Sequence, residues 1–194
     1  MSKNTAVFCL GLSALPVAKK IAALLDAELH GKSGRVTQAD VFFTDAMEHL
    51  SKLFQEGVAI VGVCASGVLI RGVAKSVSDK KTEPALVAVA EDGSAVVPLL
   101  GGHHGANSMA RKISELLGVD PAITTSGDVR FGIALDEPPD GFVLANPEDV
   151  KEFSVSFLSG ESLMISSDEN HSCLDYVLGD KTLGLDYKQV YIAG

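Results

Sequence analysis

The chain has 194 residues, 46% of them hydrophobic and 21% charged, enough apolar material to bury a real core as one domain or as one domain with a smaller lobe. The formal net charge is −9, and no run of Lys and Arg is longer than a pair such as Lys19-Lys20 or Lys80-Lys81. That argues against nucleic acid as a partner, because a polyanion needs a concentrated basic footprint.

The N-terminal segment has the lysine, apolar stretch and small residues of a secretory signal, but Gly11, Ser13 and Pro16 interrupt it. The apolar pattern then continues through Ile21, Leu24 and Leu25 at helical spacing. The reading is therefore strand, turn, helix: an apolar strand over TAVFCLG, Ser13 as N-cap, Pro16 in the first turn, and a helix to about Ala27. Short extended pieces follow at Leu29-His30 and at VFF, 41–43. A capped helix starts at Thr44, with Met47, Leu50 and Phe54 on one face.

GVAIVGVCA, 57–65, is the clearest buried strand, and it leads into a helix with Leu69, Val73 and Val77 on one side. PALVAVAEDGSAVVPLL holds two apolar runs around Asp92-Gly93, a strong hairpin signal. After the glycine–histidine stretch 101–107, Met109, Ile113, Leu116 and Leu117 form a stripe at helical spacing. AITT reads as a short strand and SGD as a turn. The composition shifts at the Pro/acid-rich hinge 135–141, and a short helix through Val150, Phe153 and Phe157 plus strands at SLMIS and QVYIAG complete a second lobe.

The fold expected is α/β: three layers, a mainly parallel open sheet with one β-hairpin, then a smaller α/β lobe. The boundaries are 1–130 and 131–194. No apolar run approaches the ~20 residues that cross a bilayer. Cys9, Cys64 and Cys173 are odd in number and show no C-x-x-C spacing, so neither a disulfide framework nor a thiolate zinc site is expected. A reducing cytoplasm fits, with Cys9 and Cys64 as buried thiols.

In open α/β sheets ligands bind beyond the carboxyl ends of the strands. Applied to each apolar run in turn, that rule gathers 11–13, 65–67, 101–107 and 126–128 at one edge. Neither a dinucleotide G-x-G-x-x-G nor a P-loop is present, and Ser66-Gly67 is not a nucleophile elbow. This sets a flavodoxin-like nucleotide binder aside. Ser66 is expected to cap its helix. His103 and His104 are adjacent, not at the i, i+4 spacing of a helical metal pair, so at most one faces a given site and no metal is expected. The flanking Gly101, Gly102 and Gly105 permit close approach to backbone, and Asn107 opens a helix whose free N–H groups suit an anion. An imidazole there suits general acid–base work. Arg71 can clamp a carboxylate or make a surface ion pair, and Thr125, Ser126 and Asp128 can either join the edge or form an ordinary turn. The Ser, Asp, Glu and His of SSDENHSC, 166–173, read as a polar loop.

The stretch from Gly62 to Asp128 resembles the N-terminal region of the cobalt-precorrin-5A hydrolases, the CbiG-type proteins of cobalamin biosynthesis. The resemblance rests on a strand leading to a helix with Arg71, DK-x-x-x-PA at 79–85, V-x-V-x-[ED]-x-G at 87–93, PLL-x-G-H-x-G-A-N at 98–107, and ITT at 123–125. The region from Phe131 to Ile165 is similar to the family's middle part more loosely. The resemblance implies hydrolytic opening of the δ-lactone of a cobalt tetrapyrrole, with a two-carbon fragment leaving as acetaldehyde. It implies His103 as base, because it takes the place of the single histidine in the family's block. Ser66, Arg71, Gly102, His104, Gly105, Asn107, Thr125 and Asp128 are then expected to hold an anionic cobalt-tetrapyrrole, with no cofactor beyond the cobalt inside that substrate. The family usually has a second glycine before Ala-Asn and a further C-terminal domain, so the loop is expected to be tighter and the chain truncated. The competing expectation is a non-catalytic tetrapyrrole-binding or docking domain, such as the module fused to a precorrin-3B C17-methyltransferase. Other cobalamin-pathway enzymes and a second copy of the chain are the protein partners expected.

Overall fold

The computed structural model describes residues 5–79, 82–126, 129, 143–144, 155 and 192–193. The chain divides into two compact units, Met1–Ile123 and Thr124–Gly194. In the first, the elements run β1 (Thr5–Cys9), α1 (Leu15–Leu25), β2 (Glu28–Lys32), β3 (Val41–Phe43), α2 (Ala46–Gln55), β4 (Ala59–Val63), α3 (Ser66–Val73), β5 (Leu86–Val89), β6 (Val96–Leu100), a 3₁₀ turn (Gly102–His104) and α4 (Ala106–Leu117). In the second, β7 (Val143–Leu144) pairs antiparallel with β8 (Ile192–Ala193). The expected hinge at 135–141, the helix through Phe153 and the polar loop with Cys173 lie outside the described residues.

The six strands of the first unit form one sheet in the order β3-β2-β1-β4-β5-β6. Every pair is parallel except the last, in which β6 runs back along β5. The central strands are buried on both faces, which explains their unbroken apolar sequences. Alternate residues sort to opposite sides. Val7, Val61, Val63 and Val87 meet α1 and α4 through Ala18, Ile21, Ala110 and Ile113. Phe8, Ile60, Leu86 and Ala88 meet α2 and α3 through Leu50, Phe54, Leu69 and Val73. This is a three-layer α/β fold with one hairpin, as the sequence predicts.

Two glycines set how closely the α2–α3 layer lies. A methyl on Gly62 would stand 2.4 Å from a Leu69 carbon, and one on Gly72 would stand 2.6 Å from a Leu50 carbon. Bare backbone at both points lets β4 accept α3 and α3 accept α2.

Several local expectations need correction. The N-caps of α1 and α3 are Ala14 and Ala65, not Ser13 and Ser66, and neither cap makes a side-chain hydrogen bond. Ser13 donates instead to Glu91 Oε2 at 2.7 Å, a partner 78 residues away. Asp45 rather than Thr44 caps α2, accepting from the N–H groups of Met47 and Glu48. Met47, Val77 and Leu116 are exposed, and Leu53, Ala106 and Ala110 take up the buried stripes. AITT forms no strand: Pro121 makes an isolated bridge to Val96, and 122–125 continue irregularly.

Candidate functional site

The strand registers decide where the sequence-predicted residues stand. Ala6 is level with Ile60, Ile60 with Leu86, and Leu86 with Leu100. Leu100 is the last residue of β6, yet it lies beside the first residue of β5. The 101–107 stretch therefore leaves the sheet at the amino ends of β1, β4 and β5. Gly11, Ser13, Ser66 and Gly67 follow the carboxyl ends of β1 and β4, on the opposite edge. A five-residue strand separates the two edges by about 13 Å. The expected gathering at one edge is thus corrected, and its physical cause is the Asp92-Gly93 hairpin, which reverses the chain before the histidines are reached.

At the amino edge the histidine turn is closed by backbone hydrogen bonds. Gly101 and Gly105, at φ 71° and 87°, both take the left-handed conformation that favours glycine. The N–H groups of His104 and Ala106 both donate to the Gly101 carbonyl, at 2.9 and 3.1 Å. Gly101 is pressed against the neighbouring chain, so that a methyl there would stand 2.5 Å from the Pro84 carbonyl oxygen. Gly105 has no atom within 4 Å of the corresponding position, so a side chain there would meet open space. His103 and Gly102 lie within the turn, and the His104 side chain is exposed. Helix α4 starts at Ala106 with no side-chain cap hydrogen bond and no acidic residue in its first turn, and its N-terminus carries the partial positive charge of the helix dipole. Asn107, expected to open this helix, is its second residue and is buried.

Next to this turn lies Glu83, a buried carboxylate that sequence reading passed over. It accepts the Ser78 N–H at 3.1 Å and closes the loop that delivers Pro84 to Gly101. A glutamate three residues before an apolar strand is the only signal the sequence offers for it.

At the carboxyl edge, β1 leads to α1 on one face and β4 leads to α3 on the other, which makes the gap between them the topological switch point of the sheet. Ser66 is the exposed first residue of α3. Arg71 is exposed, and its guanidinium folds back over the first turn, 3.2 Å from where a methyl on Gly67 would be. Leu12 and Ile70 are exposed apolar residues. Cys64 is no nucleophile here: burial pushes its thiol up to about 12. Burial likewise raises Cys9, whose thiol donates to the Gly11 carbonyl at 3.2 Å.

The structure therefore brings Gly102, His103, His104, Gly105 and Asn107 together and separates them from Ser66 and Arg71. Thr125 is an exposed residue of the second unit whose carbonyl accepts the Val129 N–H at 3.0 Å. Asp128 lies outside the described residues. Among the described residues no three His, Cys, Asp or Glu side chains converge as metal ligands, and no helix is long and apolar enough to cross a membrane.

Residues 48–128, from α2 through the histidine turn and α4, match the protein family described as cobalamin synthesis G N-terminal. The chain is 33% identical over 136 residues to a cobalt-precorrin-5A hydrolase of Salmonella typhimurium, a match covering 69% of this chain and 39% of that protein. It is 32% identical over 119 residues to a cobalt-precorrin-5A hydrolase of Priestia megaterium, covering 60% of this chain and 32% of that protein. The chain thus spans 39% and 32% of the length of these two relatives. A crystal structure of a cobalamin biosynthesis protein G homologue from Sulfolobus solfataricus aligns with a TM-score of 0.49 at 23% identity, over 88% of this chain and 52% of that one.

Proposed function

We propose, from the premise that residues 48–128 belong to the cobalamin synthesis G N-terminal family, that this chain serves cobalamin biosynthesis as the part of a cobalt-precorrin-5A hydrolase that carries the histidine turn. The reaction is hydrolysis of the δ-lactone of the cobalt tetrapyrrole, with the two-carbon fragment released as acetaldehyde. The observation that carries the reading is the turn itself: two left-handed glycines place His103 and His104 at the uncapped start of α4, inside the matched region.

Lactone hydrolysis needs a base for water and a stabiliser for the oxyanion. A neutral imidazole of His103 takes a proton from water as its oxygen attacks the lactone carbonyl. The developing negative charge falls near the amino end of α4, where the helix dipole and backbone N–H groups favour it. When the tetrahedral intermediate collapses, the acyl C–O bond breaks and the imidazolium returns the proton to the departing oxygen, leaving a carboxylate and a hydroxyl on the two-carbon group. Loss of that hydroxyl proton then breaks the carbon–carbon bond to the macrocycle: the two-carbon group leaves as acetaldehyde, and the macrocycle keeps the electron pair and takes up a proton. His104, Gly102, Gly105 and Asn107 line the same turn as substrate contacts. Ser66 and Arg71 face the opposite edge and take no part in this step; Thr125 and Asp128 belong to the second unit. The cobalt enters as part of the substrate, the protein supplies no cofactor, and the cytoplasm is where such an intermediate is processed.

The test is incubation of the protein with cobalt-precorrin-5A, with acetaldehyde trapped and the tetrapyrrole mass followed. His103→Ala is expected to lower acetaldehyde release at least a hundredfold, as loss of a general base does, while Arg71→Ala leaves it within about twofold. Loss on Arg71→Ala with His103→Ala unaffected moves the chemistry to the switch point. Tight binding without acetaldehyde makes the chain a carrier or docking domain.

A further inference from the structure

On the α2 side of the sheet, far along the order from the histidine turn, two other imidazoles meet. His30 of β2 is buried, and its Nδ1 lies 2.7 Å from Nε2 of His49 in α2. His49 stacks on Phe43 of β3, with ring centroids 4.8 Å apart and planes 11° apart, and Phe43 stacks on Phe8 of β1 at 4.7 Å. One imidazole pair thus closes an aromatic stack that ties the outer strands to α2. The contact is a hydrogen bond rather than a cation site. Glu28 approaches the far nitrogen, His30 Nε2, at 3.5 Å, and among the described residues no group of three His, Cys, Asp or Glu side chains converges as metal ligands.

A bond of this kind holds one proton between two nitrogens. It survives with both rings neutral, and it survives when one ring is imidazolium and donates to the other's lone pair. When both rings are protonated, two N–H groups and two like charges face each other at 2.7 Å and the rings must part. We propose that His30 and His49 are a proton-operated clasp, closed with at most one added proton and opened by the second, which frees His49 from its stack and loosens the β2–β3 edge.

The charged groups around the pair shape this response. Glu28 and Asp40 favour charge on His30, Glu56 favours it on His49, and Lys52 opposes it. Asp45 and Lys32 stand at the entrance to α2, Asp45 as its cap and Lys32 bonded to the Thr44 carbonyl. Burial outweighs all of these and holds both imidazoles below their ordinary value of 6.5. The unfolded chain therefore binds more protons than the folded one below about pH 6.5. Folding stability is complete above that pH and is lost as pH falls through the depressed folded values. β3 pairs with β2 over three residues, and the Asp40–Leu29 and Ser33–Phe43 hydrogen bonds lie beside that short ladder.

Ring-nitrogen NMR of the ¹⁵N-labelled protein between pH 8 and pH 5 tests the clasp, with amide hydrogen-exchange protection followed at Phe42, Phe43 and His49. The expected result is one N–H shared between the rings at pH 8, two coupled protonation steps, and at least a tenfold fall in protection at the second. His49→Gln offers His30 a neutral donor and is expected to abolish that fall. Independent titration of the two rings without change in protection overturns the proposal, as does a fall that persists in His49→Gln. If that variant does not fold, the wild-type ring titration decides alone.

Discussion

Gly101 and Gly105 look equivalent in the sequence, each beside the histidines, and the structure gives them different constraints. Both need the left-handed backbone, which costs an alanine about 1–2 kcal/mol. Gly101 has a further obstacle: its side-chain position is 2.5 Å from the Pro84 carbonyl oxygen, a backbone atom that cannot swing away. Gly105→Ala is therefore expected to lower stability by about 1–2 kcal/mol and leave the turn in place. Gly101→Ala should cost more, by about a further 1–3 kcal/mol of overpacking, and displace the turn. Urea denaturation of the two variants measures the difference, and equal losses would refute the contact with Pro84. The sequence shows that both glycines are needed near a ligand or a turn, but which one touches backbone depends on β5, whose approach is set by the hairpin. The same limit explains Ser13: its hydroxyl chooses Glu91 over the helix cap, and a partner 78 residues away leaves no local trace.

The elements themselves are largely readable, because β1, β4, β5 and β6 are apolar runs and each helix of the first unit has a buried stripe, whereas β2, ELHGK, carries a single apolar side chain. What the apolar pattern leaves out is how closely the layers sit. Gly62 interrupts the run AIVGV with no local reason, since its backbone is ordinary strand and needs no special freedom. The reason lies in α3, whose Leu69 occupies the space a methyl would take, 2.4 Å from its position. Gly62→Ala gains strand propensity and still is expected to destabilise the fold, by about 1–3 kcal/mol, because Leu69 is itself fully buried and has nowhere to move. Thermal or urea unfolding checks the sign. The pairing Gly62→Ala with Leu69→Ala should recover part of the loss, since the second change vacates the space that the first fills. A stabilising Gly62→Ala would mean that α3 packs elsewhere.

The arrangement of the whole sheet decides which residues can share a ligand. Asp92-Gly93 is a hairpin in the sequence as in the structure, and a hairpin sends the next strand's end to the other edge. The rule that ligands sit beyond the carboxyl ends of strands holds for parallel strands; carried across the hairpin, it joined residues that the sheet keeps apart. Two surfaces result within the first unit, the histidine turn at the amino edge and the switch point at the carboxyl edge, about 13 Å apart across the strands. A rigid macrocycle cannot reach both through a packed core. Hydrogen exchange with and without cobalt-precorrin-5A is therefore expected to show protection at one edge only. Under the proposed function it falls on Gly102, His104, Gly105 and Asn107, with the amides of Gly11, Leu12, Ser66 and Gly67 unchanged to within about twofold. Protection confined to the second group would assign binding to the switch point, where Arg71 and the exposed Leu12 and Ile70 offer a cation beside apolar surface, and would leave the histidine turn without its substrate. Protection of both groups by a single bound molecule is the outcome that the sheet order forbids.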